Sequence, residues 1–307
     1  MRGHAGLTVH RADSGLKRQE IRVRSSISAA LCALVFWAVP AGAQLSITGE
    51  WAGRYHEDFD DRVPGDVNGD FTGVPINDAA RFYAETWDVR RVNVLEHQCQ
   101  PYNLPHIYRG PLQFRIWEEK RPQTQEIIAY KIYIGTYMQS RTIWMDGRPH
   151  PSEYAPHTSM GFSTGEWFGD TLKVTTTHIK KEFYRRSGLP SSDQTQVEEY
   201  YVRHGNLMSQ TMIITDPVYL SEPYVNSQEF ELMERGNQNW LYNCEYVMEV
   251  PQPRHQVPHY LPGENPFLEE WANTFGTPFD AIFSGAPSTY PEYAPQIEDM
   301  VNEADNE

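Results

Sequence analysis

The chain has 307 residues, with 26 Lys plus Arg against 41 Asp plus Glu and a formal net charge of −15. Residues 1–43 carry six basic and two acidic side chains, so the remainder holds 20 basic against 39 acidic residues and sits at −19. That surface repels phosphate, which argues against sequence-independent nucleic-acid binding and docking to anionic membranes, while 39 aromatic residues argue against global disorder.

Taken in chain order, the first segment reads as an export signal. Lys17, Arg18, Arg22 and Arg24 precede an apolar run from Ile27 to Val39, Pro40 breaks it, and Ala41-Gly42-Ala43 offers the small-x-small pattern of a cleavage site. The expectation is cleavage after Ala43 and a periplasmic or secreted product with no membrane span, since about 13 apolar residues fall short of a bilayer core. Of three cysteines, Cys99 and Cys244 would remain, an even number in an oxidising compartment. Paired, they would close a loop worth about 4–5 kcal/mol; the alternative is two buried thiols.

The rest is expected to be a single β-rich domain, residues 44–294, with an acidic, disordered tail over 295–307. A strand over Ser46 to Tyr55 and an acidic loop from His56 to Asp70 precede a helix near residues 78–87, capped by Asn77 or Asp78. From Pro111 onward period-two signals dominate, with strands at Ile127 to Ile134 and Tyr137 to Met145. Gly169-Asp170 and His204-Gly205-Asn206 mark tight hairpins, and Phe230 to Met233 and Trp240 to Val250 supply two more candidate strands. Short turns force antiparallel pairing. The sequence therefore predicts a mainly β protein, an antiparallel meander of roughly eight strands closed or nearly closed into a barrel, with a β-sandwich as alternative. A proline-rich wrapping segment follows, with a short helix through 266–275 ended by Gly276.

Several motifs bear on chemistry. Gly49-Glu50-Trp51 and Gly165-Glu166-Trp167 both fit Gly-x-Trp, a pattern that resembles the first strand of lipocalins, where the Trp plugs the barrel floor; an ordinary core Trp is the competing reading. Asp66, Asn68 and Asp70 resemble the start of a calcium loop. That loop lacks the turn glycine, because Phe71 stands there, and ends on Asn77 instead of an acid, so a solvated turn competes. His255 and His259 have metal spacing, but Pro253 and Pro258 forbid the helix that would use it. Gly161-Phe162-Ser163-Thr164-Gly165 matches a nucleophile elbow literally, yet strand signals follow Ser163 where a helix is required.

The most informative stretch runs from Asp146 to His157, a connection stiffened by three prolines and carrying Asp146, Arg148, His150, Glu153, Tyr154 and His157. Long loops on β scaffolds carry function more often than short turns do; a solvated surface loop is the bland alternative. The order Arg141-Thr-Ile-Trp-Met-Asp-Gly-Arg-Pro-His-Pro151, Met160-Gly-Phe-Ser-Thr-Gly-Glu-Trp-Phe-Gly-Asp-Thr-Leu172, Asp216-Pro-Val-Tyr219 and Glu222-Pro223 resembles a large family of uncharacterised exported bacterial proteins, over roughly residues 95–250. The resemblance implies export and transfers no catalytic residue.

Three functions follow as expectations. In the first, a small, partly apolar ligand occupies a barrel pocket, with Trp51, Trp144 and Trp167 as walls or floor and Asp146, Arg148, His150 and His157 around the mouth. In the second, a hydrolase uses His150 or His157 as general base, oriented by Asp146, with Arg148 steadying an anionic intermediate. The third is a structural envelope component.

Overall fold

The structure is a computed structural model that describes residues 46–54, 68–93, 99–109, 113–185, 187–233 and 257–304. The chain divides into two units, Met1–Gln44 and Leu45–Glu307, and all described residues belong to the second. The expected leader, Asp66, Cys244, His255 and the candidate strand at 240–250 lie outside them.

Nine strands close a barrel in the order β1-β11-β10-β9-β6-β5-β4-β3-β2. They are β1 (Gly49–Arg54), β2 (Gln113–Lys120), β3 (Ile127–Ile134), β4 (Gln139–Trp144), β5 (Phe162–Phe168), β6 (Thr171–Thr177), β9 (Gln196–His204), β10 (Leu207–Thr215) and β11 (Tyr224–Leu232). Two further strands, β7 (Glu182–Arg185) and β8 (Leu189–Ser191), form a separate hairpin inserted between β6 and β9. The barrel is mainly β, as the alternating pattern predicts, but it is mixed. Strand β4 pairs parallel with β5, Ile143 opposite Ser163 and Trp144 opposite Thr164. Residues 145–161 are long enough to cross back and start β5 beside β4, which a tight turn cannot do.

Helix α1 (Asp78–Glu85) starts where Asn77 accepts hydrogen bonds from the Ala79 and Ala80 amides. A short α2 (Leu104–Ile107) precedes β2, and α3 (Glu270–Phe275), α4 (Phe279–Phe283) and α5 (Ala294–Ala304) lie in the C-terminal segment. Helix α3 ends at Gly276, whose φ of 62° is the left-handed cap that glycine adopts freely. It starts at Glu270 and not at Pro266. The acidic tail is helical and not disordered over Ala294–Ala304, because Ile297, Met300 and Val301 fall at helical spacing and are half-buried while the acids face solvent.

The lumen of the barrel is filled. Trp51, Phe114, Ile134, Ile143, Leu172, Val174, Val197, Met208 and Met212 have no accessible surface, whereas a void wide enough for water would leave some of it accessible. Tyr108, just after α2, enters one end and packs its ring 6.0 Å from both Phe114 and Phe230. Among these apolar groups lies a fully buried ion pair, Arg141 on β4 and Glu199 on β9. All five guanidinium N–H groups find acceptors: Nε donates to Ser163 Oγ at 3.0 Å, Nη1 to Glu199 Oε1 at 2.9 Å and to Tyr108 Oη at 3.4 Å, and Nη2 to Thr176 Oγ1 at 2.8 Å and to Glu199 Oε2. Glu199 also accepts from Gln210 Nε2 at 2.7 Å and Tyr201 Oη at 2.9 Å.

A buried charge stripped of its partner is far more costly than the intact pair. Arg141→Met should therefore lower the unfolding free energy in urea by about 3–5 kcal/mol. The double variant Arg141→Met/Glu199→Leu should be more stable than Arg141→Met alone. Additive losses would contradict this account of the core.

Candidate functional site

The residues singled out by sequence occupy three separate places. Trp51 is part of the filled core: its Nε1 donates to the Ile47 carbonyl at 2.9 Å, and the Arg203 guanidinium lies 5.2 Å from its ring centroid. Trp167 packs edge-on against buried Tyr130 with centroids 6.4 Å apart. Burial pushes the Tyr130 phenol up to about 12, and neighbouring Glu118 adds to that. Both tryptophans serve packing, Trp51 within the buried core and Trp167 against it.

Trp144, Asp146 and Arg148 form a second group on the outside of the barrel. Arg148 stacks 3.4 Å from the Trp144 ring centroid, Lys131 lies 5.0 Å from the same ring, and Arg148 grips both oxygens of Asp146 at 2.9 and 2.6 Å. Hydrogen bonds from Arg148 hold the Asp146 carboxyl below its ordinary value. Asp146 therefore orients neither His150 nor His157, so the hydrolase arrangement expected of this loop does not form.

The third group pins the loop to the outer wall of β5 and β6. His150 Nδ1 lies 2.7 Å from Thr177 Oγ1 and its Nε2 lies 2.9 Å from Thr164 Oγ1. Thr177 Oγ1 is in turn 2.7 Å from His178 Nδ1, and His178 Nε2 is 2.8 Å from the Ser152 carbonyl. That carbonyl can only accept, so His178 carries a proton on Nε2, and in that single-proton tautomer Thr177 donates to His178 Nδ1. Neutral His150 then donates from Nδ1 to Thr177 and accepts at Nε2 from Thr164. Burial, and then the neighbouring His178, hold the His150 pKa below its ordinary value. His157 Nδ1 donates to the Ile179 carbonyl at 3.1 Å, and its ring meets that of His178 edge-on. The loop therefore lies along the barrel wall and does not line a mouth, while Tyr154 and Glu153 face solvent.

Ser163 is inside the barrel, bonded to Arg141 and to Thr176 Oγ1 at 2.9 Å, and no elbow exists there. Asp70 is likewise already engaged. Its Oδ1 accepts from Arg185 at 2.7 Å and from the Thr72 hydroxyl at 2.6 Å, and Asn68 bonds Glu270. These two residues do not fit a calcium loop, because a buried guanidinium holds the carboxylate that the cation would need. No group of three or more His, Cys, Asp or Glu among the described residues is arranged to hold a metal ion. His259 is exposed and bonds the Val257 carbonyl. No helix among the described residues is long and apolar enough to cross a membrane.

A cleft of about 260 Å³ lies instead beside the inserted hairpin, lined by Tyr83, Arg91, Gln100, Lys181, Glu182, Phe183, Pro190, Ser191 and Tyr219. Its walls are tied to the scaffold by two hubs. Asp216 is buried at the end of β10 and accepts from Tyr184 Oη, the Ser192 amide and hydroxyl, Thr195 Oγ1, and the Val218 and Tyr219 amides. An acceptor-only carboxylate suits that ring of donors. Asn103 joins both hairpin strands: its amide donates to Glu182 Oε2 at 2.9 Å and its Nδ2 to Ser191 Oγ at 2.7 Å. Asn77 links α1 to the Tyr219 turn, giving Nδ2 to the Val218 carbonyl and its amide to the Tyr219 carbonyl. The rings follow: Tyr83 packs 6.3 Å from Phe183 and 6.2 Å from Tyr219, and Trp87 packs 4.6 Å from Phe183. Gly188 turns the hairpin with φ of 94°, and any Cβ there would strike the Trp87 ring at 2.3 Å.

Burial pushes the Glu182 carboxyl up to about 8, against the pull of the Asn103 amide. Sequence reading missed this cleft because its lining comes from six separate stretches; the one signal in reach was the Asp216-to-Tyr219 run. Neither a protein-family model nor a curated protein sequence matches the chain.

The raised Glu182 carboxyl has a consequence for stability. Between about pH 4.5, its ordinary value, and about pH 8, the folded chain keeps a proton that the unfolded chain has released, so stability falls as pH rises through that window. Glu182→Gln should flatten this part of the urea-midpoint profile and be more stable than the parent at pH 8. An unchanged profile would show that Glu182 is not held neutral.

Proposed function

We propose that this chain is an exported binding protein for a small, partly apolar molecule, and that the ligand sits in the cleft beside the β7–β8 hairpin and not in the barrel. The observation that carries the reading is a concave site with aromatic walls and a few polar groups, built on a rigid scaffold whose lumen is full. The hydrolase reading has no comparable support, because Asp146 is spent on Arg148 and the histidines on threonine and backbone partners. A purely structural role would not require aromatic rings held around a concavity.

A thermal-shift screen of small amphipathic molecules tests this. A ligand present at a hundred times its Kd stabilises by about 2.7 kcal/mol, a shift of several degrees in a chain this size. The expected result is stabilising compounds whose effect is lost in Tyr83→Ala and Tyr219→Ala. Compounds that stabilise both variants as well as the parent would place the site elsewhere.

Export is part of the same proposal and rests on the basic, apolar and small-residue order of residues 17–43 and on the even number of cysteines, Cys99 and Cys244, that cleavage would leave to pair. The intact mass of protein from the periplasm should lack residues 1–43 and fall about two daltons below the reduced form. A full-length product carrying two free thiols would contradict it.

A further inference from the structure

Resting on the binding reading above, we propose that the cleft is a carboxylate site: it takes a small organic acid whose acid group is held by Arg91 and Lys181 and whose apolar body lies between Tyr83, Phe183 and Tyr219. Charge makes the first argument. In a chain with formal net charge −15, this concavity is lined by two cationic side chains and one acid. Among the described residues neither Arg91 nor Lys181 makes an ion pair. An uncompensated positive cleft on a negative body concentrates anions locally.

Arg91 is only partly engaged. Its guanidinium makes one long hydrogen bond, Nη1 to Tyr83 Oη at 3.3 Å, and its Nε is buried with no partner. A half-used guanidinium fork beside a cleft is complementary to a carboxylate, which accepts two parallel N–H bonds. Volume narrows the class further: about 260 Å³ falls at the small end of ligand sites and suits one ring or a short chain.

Glu182 supplies the polarity that an acid ligand requires. Held neutral by burial, it offers a hydroxyl and no charge near pH 7, and as it ionises toward pH 9 it adds a negative charge to the same concavity. The groups around it are Tyr83 from α1, Arg91 from the turn after α1, Lys181 just before its own strand, Ser191 on β8 and Tyr219 from the turn after β10. Asn103 and His106 come from the segment and helix that pack on β7. Burial raises the Tyr219 phenol, so it stays neutral over that range. Affinity for an acid should therefore fall between pH 7 and pH 9.

The test is calorimetric titration of the purified protein with benzoate and hexanoate, alongside neutral benzamide and cationic benzylamine. The acids should bind, benzamide and benzylamine should bind at least tenfold more weakly, and Arg91→Gln should weaken benzoate roughly tenfold, about the loss of one charge-assisted pairing. Benzoate affinity should fall several-fold from pH 7 to 9 in the parent and stay level in Glu182→Gln. If Arg91→Gln fails to match the parent's urea midpoint, Lys181→Gln, at an exposed position, carries the same expectation. Equal binding of benzamide or benzylamine, or no binding by either acid, overturns the carboxylate assignment. Equal binding that disappears in Tyr83→Ala overturns it while leaving the cleft as a binding site, whereas binding indifferent to Tyr83→Ala and Tyr219→Ala removes both.

Discussion

The rest of the structure depends on the buried pairing of Arg141 with Glu199 inside the barrel. Two charges taken out of water are tolerable only when their own donors and acceptors are used. The interior strands are arranged to that end, with Ser163, Thr176, Tyr201 and Gln210 pointing inward to meet the pair and Tyr108 inserted from the end. Desolvation keeps the Tyr108 and Tyr201 hydroxyls protonated and so available as donors. A polar network of this kind fixes one register. Slipping β4 by one residue would turn Arg141 out to solvent and leave Glu199 unpaired in the core.

A lumen committed in this way cannot also be a container, so the proposed ligand site falls on what is attached outside. Two additions interrupt the simple run of strands. The crossover at 145–161 lies along the wall and is held by a directional chain of histidine and threonine hydrogen bonds. The β7–β8 hairpin stands away from the barrel and meets α1 and the turn that Asp216 organises. The cleft of about 260 Å³ lies beside the hairpin. Hubs at Asp216 and Asn103 tie the cleft walls to the scaffold, and walls fixed in advance lower the entropy cost that the proposed binding would carry.

Much of the barrel was legible in the sequence. Richness in β-branched and aromatic residues located Ile127–Ile134 to the residue, and the turns at Gly169 and Gly205 marked two hairpins, because both signals are local. Asn77 declared its helix through a side chain that caps it. The parallel β4–β5 pair and the standing-off of β7–β8 were not legible, since both depend on how a long connection folds back. Polar residues at inward positions of strands, Arg141 and Glu199 above all, carry no local signal, because their partners come from distant strands. The site residues expected of Asp146 to His157 were a reasonable reading of composition, but their partners satisfy them: a histidine in a loop says nothing of whether a threonine waits for it on the wall. Glu182 and Arg91 carried no signal because nothing near them in sequence forecasts burial.

The claim that organises this account is that the barrel interior is a solid, polar-cored scaffold, and native-state hydrogen exchange tests it most directly. The backbone amides of Arg141, Glu199 and Gln210 should exchange only through global unfolding, with opening free energies equal to that of the whole domain. Exchange of those amides through local opening at much lower free energy, as a lumen that admits a ligand would require, would contradict it.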